Sequence, residues 1–377
     1  MFNQFNKPKT LHNKPISKTW TLPNAETLPA IQGDDVTANT LPVDKNLLLA
    51  YLGMITKCRI VDIDVNNRST LYHIDCINFL EYPKIKKNLL SLQAALHTKI
   101  KMVDSKKAQF AFEINNETAT TVYFKSIVKT IEKDGLNCVI GRDTENNDIT
   151  LNLEKAPHVL IAGQTGSGKS VLENAMIASL LMNYSPNELQ LVLIDPKQNE
   201  LTQFAGIPHL LTDVVTTAEK AALTLSYIEN VMDERYSTLS KMGKQNGNGI
   251  YSNIVVVIDE LADLMLSSYK KSIETSLTRI AQLGRAANIH LILATQRPTV
   301  NVVTGLIKAN VPTRIALNVA SVRDSMTIID HKGAETLQGN GDGLLRKSGS
   351  IVETHFQAAY IDSTTIKTIV TTWKKQK

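Results

Sequence analysis

The stretch His158–Val171, HVLIAGQTGSGKSV, decides how the rest of the chain is read. An apolar run of strand type, Val159-Leu160-Ile161-Ala162, stops at Gly163, and residues 163–170 then fit G-x-x-x-x-G-K-[ST] at every position. That is a Walker A loop. Gly163, Gly166 and Gly168 let the backbone curl so that N–H groups of Gln164, Thr165 and Ser167 and of the glycines themselves turn inward toward an anion. Lys169 is spaced to reach the terminal phosphates and Ser170 to ligate Mg²⁺. The helix expected from Val171 to Met182 turns its positive end toward the same phosphates. Residues 163–171 are therefore the candidate ligands of ATP. The alternative, an ordinary glycine-rich turn, lacks a reason for the strand before it and the helix after it.

The composition sets the frame. With 377 residues, 43% hydrophobic and 20% charged, the chain is globular and long enough for two or three domains. A net charge of +5 suits an anionic partner without marking a dedicated basic protein. Cys58, Cys76 and Cys138 stand far apart in sequence, with no C-x-x-C pair, so neither a disulfide framework nor a zinc site is expected. The apolar stretch from Asn46 to Thr56 is too short to cross a bilayer, which takes about 20 residues. The start MFNQFNKPKT has no apolar signal core. These features lead to the expectation of a cytoplasmic protein.

Residues 1–44 carry Pro8, Pro15, Pro23, Pro29 and Pro42 and no sustained period, and read as an extended or disordered arm. Its Lys7, Lys9, Lys14 and Lys18 suit either a solvated tail or contact with a nucleic-acid backbone. Residues 45–136 read as a small α+β domain: strands at 58–65 and 69–76 around Asn66-Asn67, one helix over 84–98 with Leu89, Leu92, Ala95 and Leu96 on a stripe, and strands at 99–104 and 108–114. From 137 to 377 a hairpin (139–153) leads into an alternation of strand and helix. Strands fall at 189–195, 253–259, 290–296 and 314–319. Thr216-x-x-Glu219 reads as a capping box that opens a helix burying Leu225, Ile228, Val231 and Met232. One helix is expected from Asp259 to about Ala287, and a glycine-rich turn, a strand pair and a helix at 363–374 close the chain. Such alternation implies a parallel sheet covered on both sides, an α/β fold.

Three further features carry chemistry. The strand VVVIDE ends in Asp259-Glu260, as a Walker B strand should, with Asp259 in the Mg²⁺ shell and Glu260 placed to polarise water; alone, the pair could equally be a helix cap. Gln296 ends a neighbouring strand, where it could sense the γ-phosphate or make a strand-end hydrogen bond. Arg285 follows the stripe Ile273, Leu277, Ile280 and Leu283; it could complement the helix dipole or, in a ring of copies, enter the neighbour's site as an arginine finger. His158, His209 and His290 sit beside strands and read as packing or hydrogen-bonding residues, and Asp195, before Pro196-Lys197, is placed near the site but takes no assigned role.

Taken with LIDPKQNELTQFAGIPHLLTDVVT (193–216), GRAANIHLILATQRPTVNVVTGLIKANVPTRIALNV (284–319) and ETLQGNGDGLL (335–345), these motifs resemble the motor of the FtsK/SpoIIIE family over about residues 137–362, and residues 45–130 resemble its α domain. The resemblance implies a RecA-like P-loop ATPase core and a homo-oligomeric, hexameric ring that pumps double-stranded DNA through its pore. Arg297 and Lys308 match the family's first DNA-contacting loop. The second departs: Val322 stands where a basic residue is usual and Asp324-Ser325-Met326-Thr327 where D-S-R-T is usual, leaving Arg323 as the residue available to substitute. The family's membrane helices and winged-helix domain have no counterpart, so a soluble αβ motor is expected, with membrane attachment or DNA loading left to a separate partner. Viral DNA packaging, conjugative transfer and protein secretion are the alternative roles for such a motor.

Overall fold

The computed structural model describes residues 18–29, 41–65, 69–116, 121–350 and 352–377. The Asn66-Asn67 turn and most of the N-terminal arm, with Lys7, Lys9 and Lys14, lie outside the described residues. Two units emerge: residues 41–122 with the turn 142–147, and residues 18–29, 123–141 and 148–377.

In the smaller unit Asp44 caps α1 (Lys45–Ile55), accepting from the N–H groups of Asn46 and Leu47 at 2.9 and 3.0 Å. Strands β1 (Cys58–Val65), β2 (Ser69–Cys76), β3 (Ile100–Val103) and β4 (Phe110–Asn115) form an antiparallel sheet in the order β1-β2-β4-β3. Leu48 and Leu52, one helical turn apart on α1, join Tyr72, Ile74, Phe110 and Phe112 in its core. The single helix expected over 84–98 is two, α2 (Tyr82–Lys87) and α3 (Leu89–Ala95). They meet at Asn88, whose N–H is shared between the Lys84 and Ile85 carbonyls at 3.1 Å each, in the tightened turn that ends α2, while its side-chain amide also donates to the Lys84 carbonyl at 2.8 Å. Cys58 and Cys76, remote in sequence, face each other across β1 and β2 as free thiols with their Sγ atoms 3.6 Å apart.

The larger unit is built on nine strands in the order β6-β5-β13-β12-β11-β7-β10-β9-β8. A short helix, α4 (Phe124–Val128), precedes the hairpin β5 (Asn137–Asp143) and β6 (Asp148–Asn152), which then leads into β7 (His158–Ala162) and α5 (Lys169–Asn183). Next come β8 (Leu189–Ile194), α6 (Ala218–Lys241), β9 (Asn253–Ile258), α7 (Leu261–Met265), α8 (Lys270–Leu283), β10 (Ile289–Thr295), α9 (Gly305–Asn310), β11 (Thr313–Leu317) and α10 (Val322–Ile329). β8, β9, β10, β7 and β11 run parallel, and β12 (Asp342–Arg346) and β13 (Thr354–Ala358) continue the sheet antiparallel before α11 (Ser363–Lys374). Leu160, Val192, Val256 and Leu291 pack one face against α6, α7 and α8, while the alternate residues Val159, Val255 and Val257 are as fully buried on the other. The two-sided burial is what the unbroken apolar strands of the sequence require.

Three local expectations are corrected. The cap of α6 is Thr217, whose side chain accepts from Lys220 N–H, because the helix opens at Ala218 and leaves Thr216 one residue outside it. The long helix after Asp259 is interrupted between Met265 and Lys270 and closes in a 3₁₀ turn over Gly284–Ala287. Leu283 is 41% exposed rather than part of the buried stripe that Ile273, Leu277 and Ile280 form, since it sits at the last turn of α8 as the chain swings into β10. No helix among the described residues is long and apolar enough to cross a membrane.

His158, His209 and His290 are each 1% exposed, as packing residues should be. His209 stacks edge-on against Trp373 and His290 meets Asn253, but neither ring nitrogen of His158 has a partner. Burial pushes the three imidazoles down, to about 4, about 4 and about 3. Folded-state values below the unfolded value of roughly 6.5 mean that the unfolded chain binds more protons between pH 6.5 and 4, so stability falls as pH falls through that window. Thermal melts from pH 7.5 to 5 should show this decline, and His158→Leu should flatten it; an unchanged slope would count against the argument.

Candidate nucleotide site

β7 lies between β10 and β11, and the loop after it hangs across the carboxyl ends of both neighbours. Gly163 N–H donates to the Thr295 carbonyl at 3.2 Å and Gln164 N–H to that of Asn318 at 2.9 Å, while the Gln164 amide reaches the Asn318 side chain. Gly166 and Gly168 adopt left-handed φ of 80° and 97°, which only glycine takes without strain. A Cβ on Gly168 would also run into the backbone of Gly341. That approach arises because a second glycine turn braces the first: Gly341 N–H donates to Ser167 O at 2.7 Å and Asn340 N–H to Gly166 O at 3.1 Å. The brace explains the run Gly339–Gly343, which the sequence reading left without a purpose.

The cradle opens onto α5. Lys169, its first residue, is 3% exposed and sends Nζ to Asp259 Oδ1 at 2.6 Å and to the Asp259 carbonyl at 2.9 Å. Glu173 Oε2 stands 3.6 Å from the same Nζ. Burial alone would lower the Lys169 pKa, but Glu173, Asp259 and Glu260 together hold it above its ordinary value. Burial pushes the Glu173 carboxyl up to about 8, against the pull of Lys169.

Glu260 is 1% exposed and fully engaged. It caps α7 through Ala262 N–H at 3.2 Å, accepts from Thr295 Oγ1 at 2.7 Å and from Gln296 N–H at 3.2 Å, and pairs with Lys197 at 3.2 Å. Glu260 thus caps a helix and lies at the carboxyl edge beside the cradle. The Gln296 side chain accepts from Thr165 Oγ1 at 3.2 Å and ties β10 to the loop. Lys169, Asp259, Glu260 and Gln296, scattered in sequence, are brought together with the loop 163–171. The N–H groups of Gly163, Gln164 and Ser167 donate to backbone carbonyls of Thr295, Asn318 and Gln164 rather than facing an anion as expected. The left-handed turns at Gly166 and Gly168, the buried and unpartnered Ser167 Oγ, and the hydroxyl and carboxylate of Ser170 and Asp259 suit a polyphosphate with a hard divalent cation.

Other candidates lie apart. Arg285 is exposed in the turn before β10, at the amino ends of the strands, and makes no side-chain hydrogen bond or ion pair among the described residues. β10 has seven residues, so about 20 Å of strand separates Arg285 from the cradle of its own domain. Arg297 is exposed directly after β10, and Arg323 is exposed on α10. Lys308, on α9, is paired with Asp330 at 2.7 Å; Arg314 and Arg346 hold the same carboxylate at 2.6 and 3.1 Å. Val322 and Met326 are half-exposed on α10.

Two residues escaped the sequence reading. Lys197 follows β8 at the sheet edge where ligands gather, a positional signal that was available. Glu173 is the one acid in an otherwise uncharged stretch of α5 beyond Lys169, spaced to share its face.

A parallel sheet with this loop and acid pair at its carboxyl edge defines a P-loop nucleotide-binding protein of RecA-like fold. The FtsK/SpoIIIE family profile matches residues 128–253 and 244–300, and the chain belongs to that family. It is 36% identical to the DNA translocase FtsK of Sporosarcina ureae over 94% of this chain and 49% of the relative, and 41% identical to that of Shewanella oneidensis over 71% and 33%. The chain thus spans a third to a half of the length of these curated relatives. Its fold is similar to that of the pCW3 conjugation coupling protein TcpA in its monomer form with ATPgS (TM-score 0.62, 24% identity, 87% of this chain and 98% of that one). The cytoplasmic domain of the type VII secretion ATPase EccC of Thermomonospora curvata is also similar (TM-score 0.56, 24% identity, 64% and 31%).

Proposed function

We propose that this chain hydrolyses ATP at the cradle formed by residues 163–171 and uses the energy to drive duplex DNA through a ring of identical subunits. The observation that carries the reading is the convergence of Lys169, Asp259, Glu260 and Gln296 on that cradle. The membership of the FtsK/SpoIIIE family supports DNA as the cargo. Lys169 neutralises the terminal phosphates, Glu260 orients and deprotonates the attacking water, and Gln296 links the state of the site to the strand that leads to Arg297. Mg²⁺, held by Ser170 and Asp259, supplies Lewis-acid charge neutralisation when bound.

The position of Arg285, far from its own domain's cradle, supports a role in the neighbour's site, and with it a hexameric ring that hydrolyses ATP between subunits. Arg297 and Arg323, both exposed, are the readier phosphate contacts; Lys308 must first exchange Asp330 for DNA. Such contacts carry no base information and weaken with salt. The proposed place of action is the cytoplasm.

The test is ATP turnover with and without long linear duplex. Several-fold stimulation is expected, declining as salt rises and reduced in Arg297→Ala. Turnover indifferent to DNA would contradict the reading and favour protein cargo, as in secretion.

A further inference from the structure

We infer that Glu173 is a positioning residue which, together with Asp259, holds Lys169 back from the phosphate cradle and thereby sets how tightly nucleotide is retained. The inference rests on the reading of Lys169 as the phosphate-binding lysine. Three observations carry it. Lys169 Nζ turns to the end of β9, with Asp259 Oδ1 at 2.6 Å and Glu173 Oε2 at 3.6 Å. Glu173 is 1% exposed, neither of its oxygens accepts a hydrogen bond, and Lys169 Nζ at 3.6 Å is the cation paired with it. Glu173 also lies one turn along α5 from Lys169, on a rigid element that keeps the two side chains adjacent.

Nucleotide must draw Lys169 off both acids. Asp259 is then occupied by the proposed cation, whereas Glu173 loses the contact with Lys169 and finds no replacement for it in its dry pocket. The bound complex is destabilised by that loss, and product leaves more readily. Glu173 touches neither substrate nor metal in this scheme; it acts through Lys169.

The test replaces Glu173 by Met, which keeps length and helix propensity but removes the carboxyl, with Glu173→Leu as a second variant. Equilibrium titration with a fluorescent ADP follows affinity, and steady-state kinetics follow KM and kcat. An ADP dissociation constant about tenfold lower is expected, since a hydrogen bond or pair with a charged group is worth roughly the free energy of one decade. KM should fall more than kcat changes. A role confined to packing predicts unchanged or weaker binding in a variant that melts cooperatively, and that result overturns the inference. Lys169→Ala is titrated alongside. If it loses ADP binding while the Glu173 variants bind as the parent does, Glu173 alone is misassigned; if it binds ADP normally, the reading of Lys169 falls and the inference with it.

Discussion

Glu260→Gln is expected to lower ATP turnover by roughly 10²- to 10⁴-fold while nucleotide binding stays close to that of the parent chain, the range a positioned general base contributes. The substitution is nearly isosteric, and the Gln carbonyl can still accept from Thr295 Oγ1 and Gln296 N–H, which now lie at 2.7 and 3.2 Å. What is lost is the negative charge that makes Glu260 a base and pairs it with Lys197 at 3.2 Å. Because Glu260 contacts the end of β10 and the start of α7 rather than the glycine loop, the cradle keeps its shape. Steady-state turnover and fluorescent-nucleotide titration separate the two effects. Turnover within a few-fold of the parent would remove Glu260 from the chemistry and leave it as a helix cap.

Lys169→Ala is expected to do two things at once. Nucleotide affinity should drop by two orders of magnitude or more, through loss of the cation that meets the phosphates. The folded state should also lose stability, because Asp259 and Glu173, 2% and 1% exposed, are left facing each other without their shared cation. Breaking a buried pair in this way costs about 3–5 kcal/mol, an upper figure here because Glu173, already pushed up to about 8 by burial, can take a proton. The sign follows from that elevation. A carboxyl whose folded pKa exceeds its unfolded value contributes stability below roughly pH 4.5 and loses it as pH rises toward the folded value. The parent's own Glu173 already sits at about 8, so parent and variant lose this contribution together below that value. The deficit of the variant should widen as pH rises past it, where Glu173 ionises beside Lys169 in the parent alone. Thermal melts from pH 7 to pH 9.5 check it; a variant as stable as the parent at the alkaline end would show that the acids do not depend on Lys169.

The sequence made some of this legible and hid the rest for identifiable reasons. The loop at Gly163–Ser170 is contiguous, so its chemistry can be read letter by letter, and the strands at 158–162, 189–194 and 253–258 announce themselves because burial on both faces demands unbroken apolar runs. Asp259 and Gln296 could be placed at the carboxyl edge because each ends such a run. Contacts that join distant segments left no comparable trace. Nothing in the string says that Lys197 meets Glu260, that Gly341 braces Ser167, or that Lys308, Arg314 and Arg346 share Asp330. A local turn also escaped: at Asn88 the N–H is shared between the Lys84 and Ile85 carbonyls and one expected helix becomes two, a choice that helical periodicity does not register. The pairing of Cys58 with Cys76 depends on strand register, which sequence separation conceals.

The most direct test of the central claim is displacement of a triplex-forming oligonucleotide from linear duplex DNA. The account predicts that the parent chain strips the third strand when ATP is present, that displacement needs duplex on the approach side, and that Glu260→Gln fails while still binding nucleotide. A chain that turns over ATP yet leaves the triplex intact at every ATP and salt concentration would contradict it.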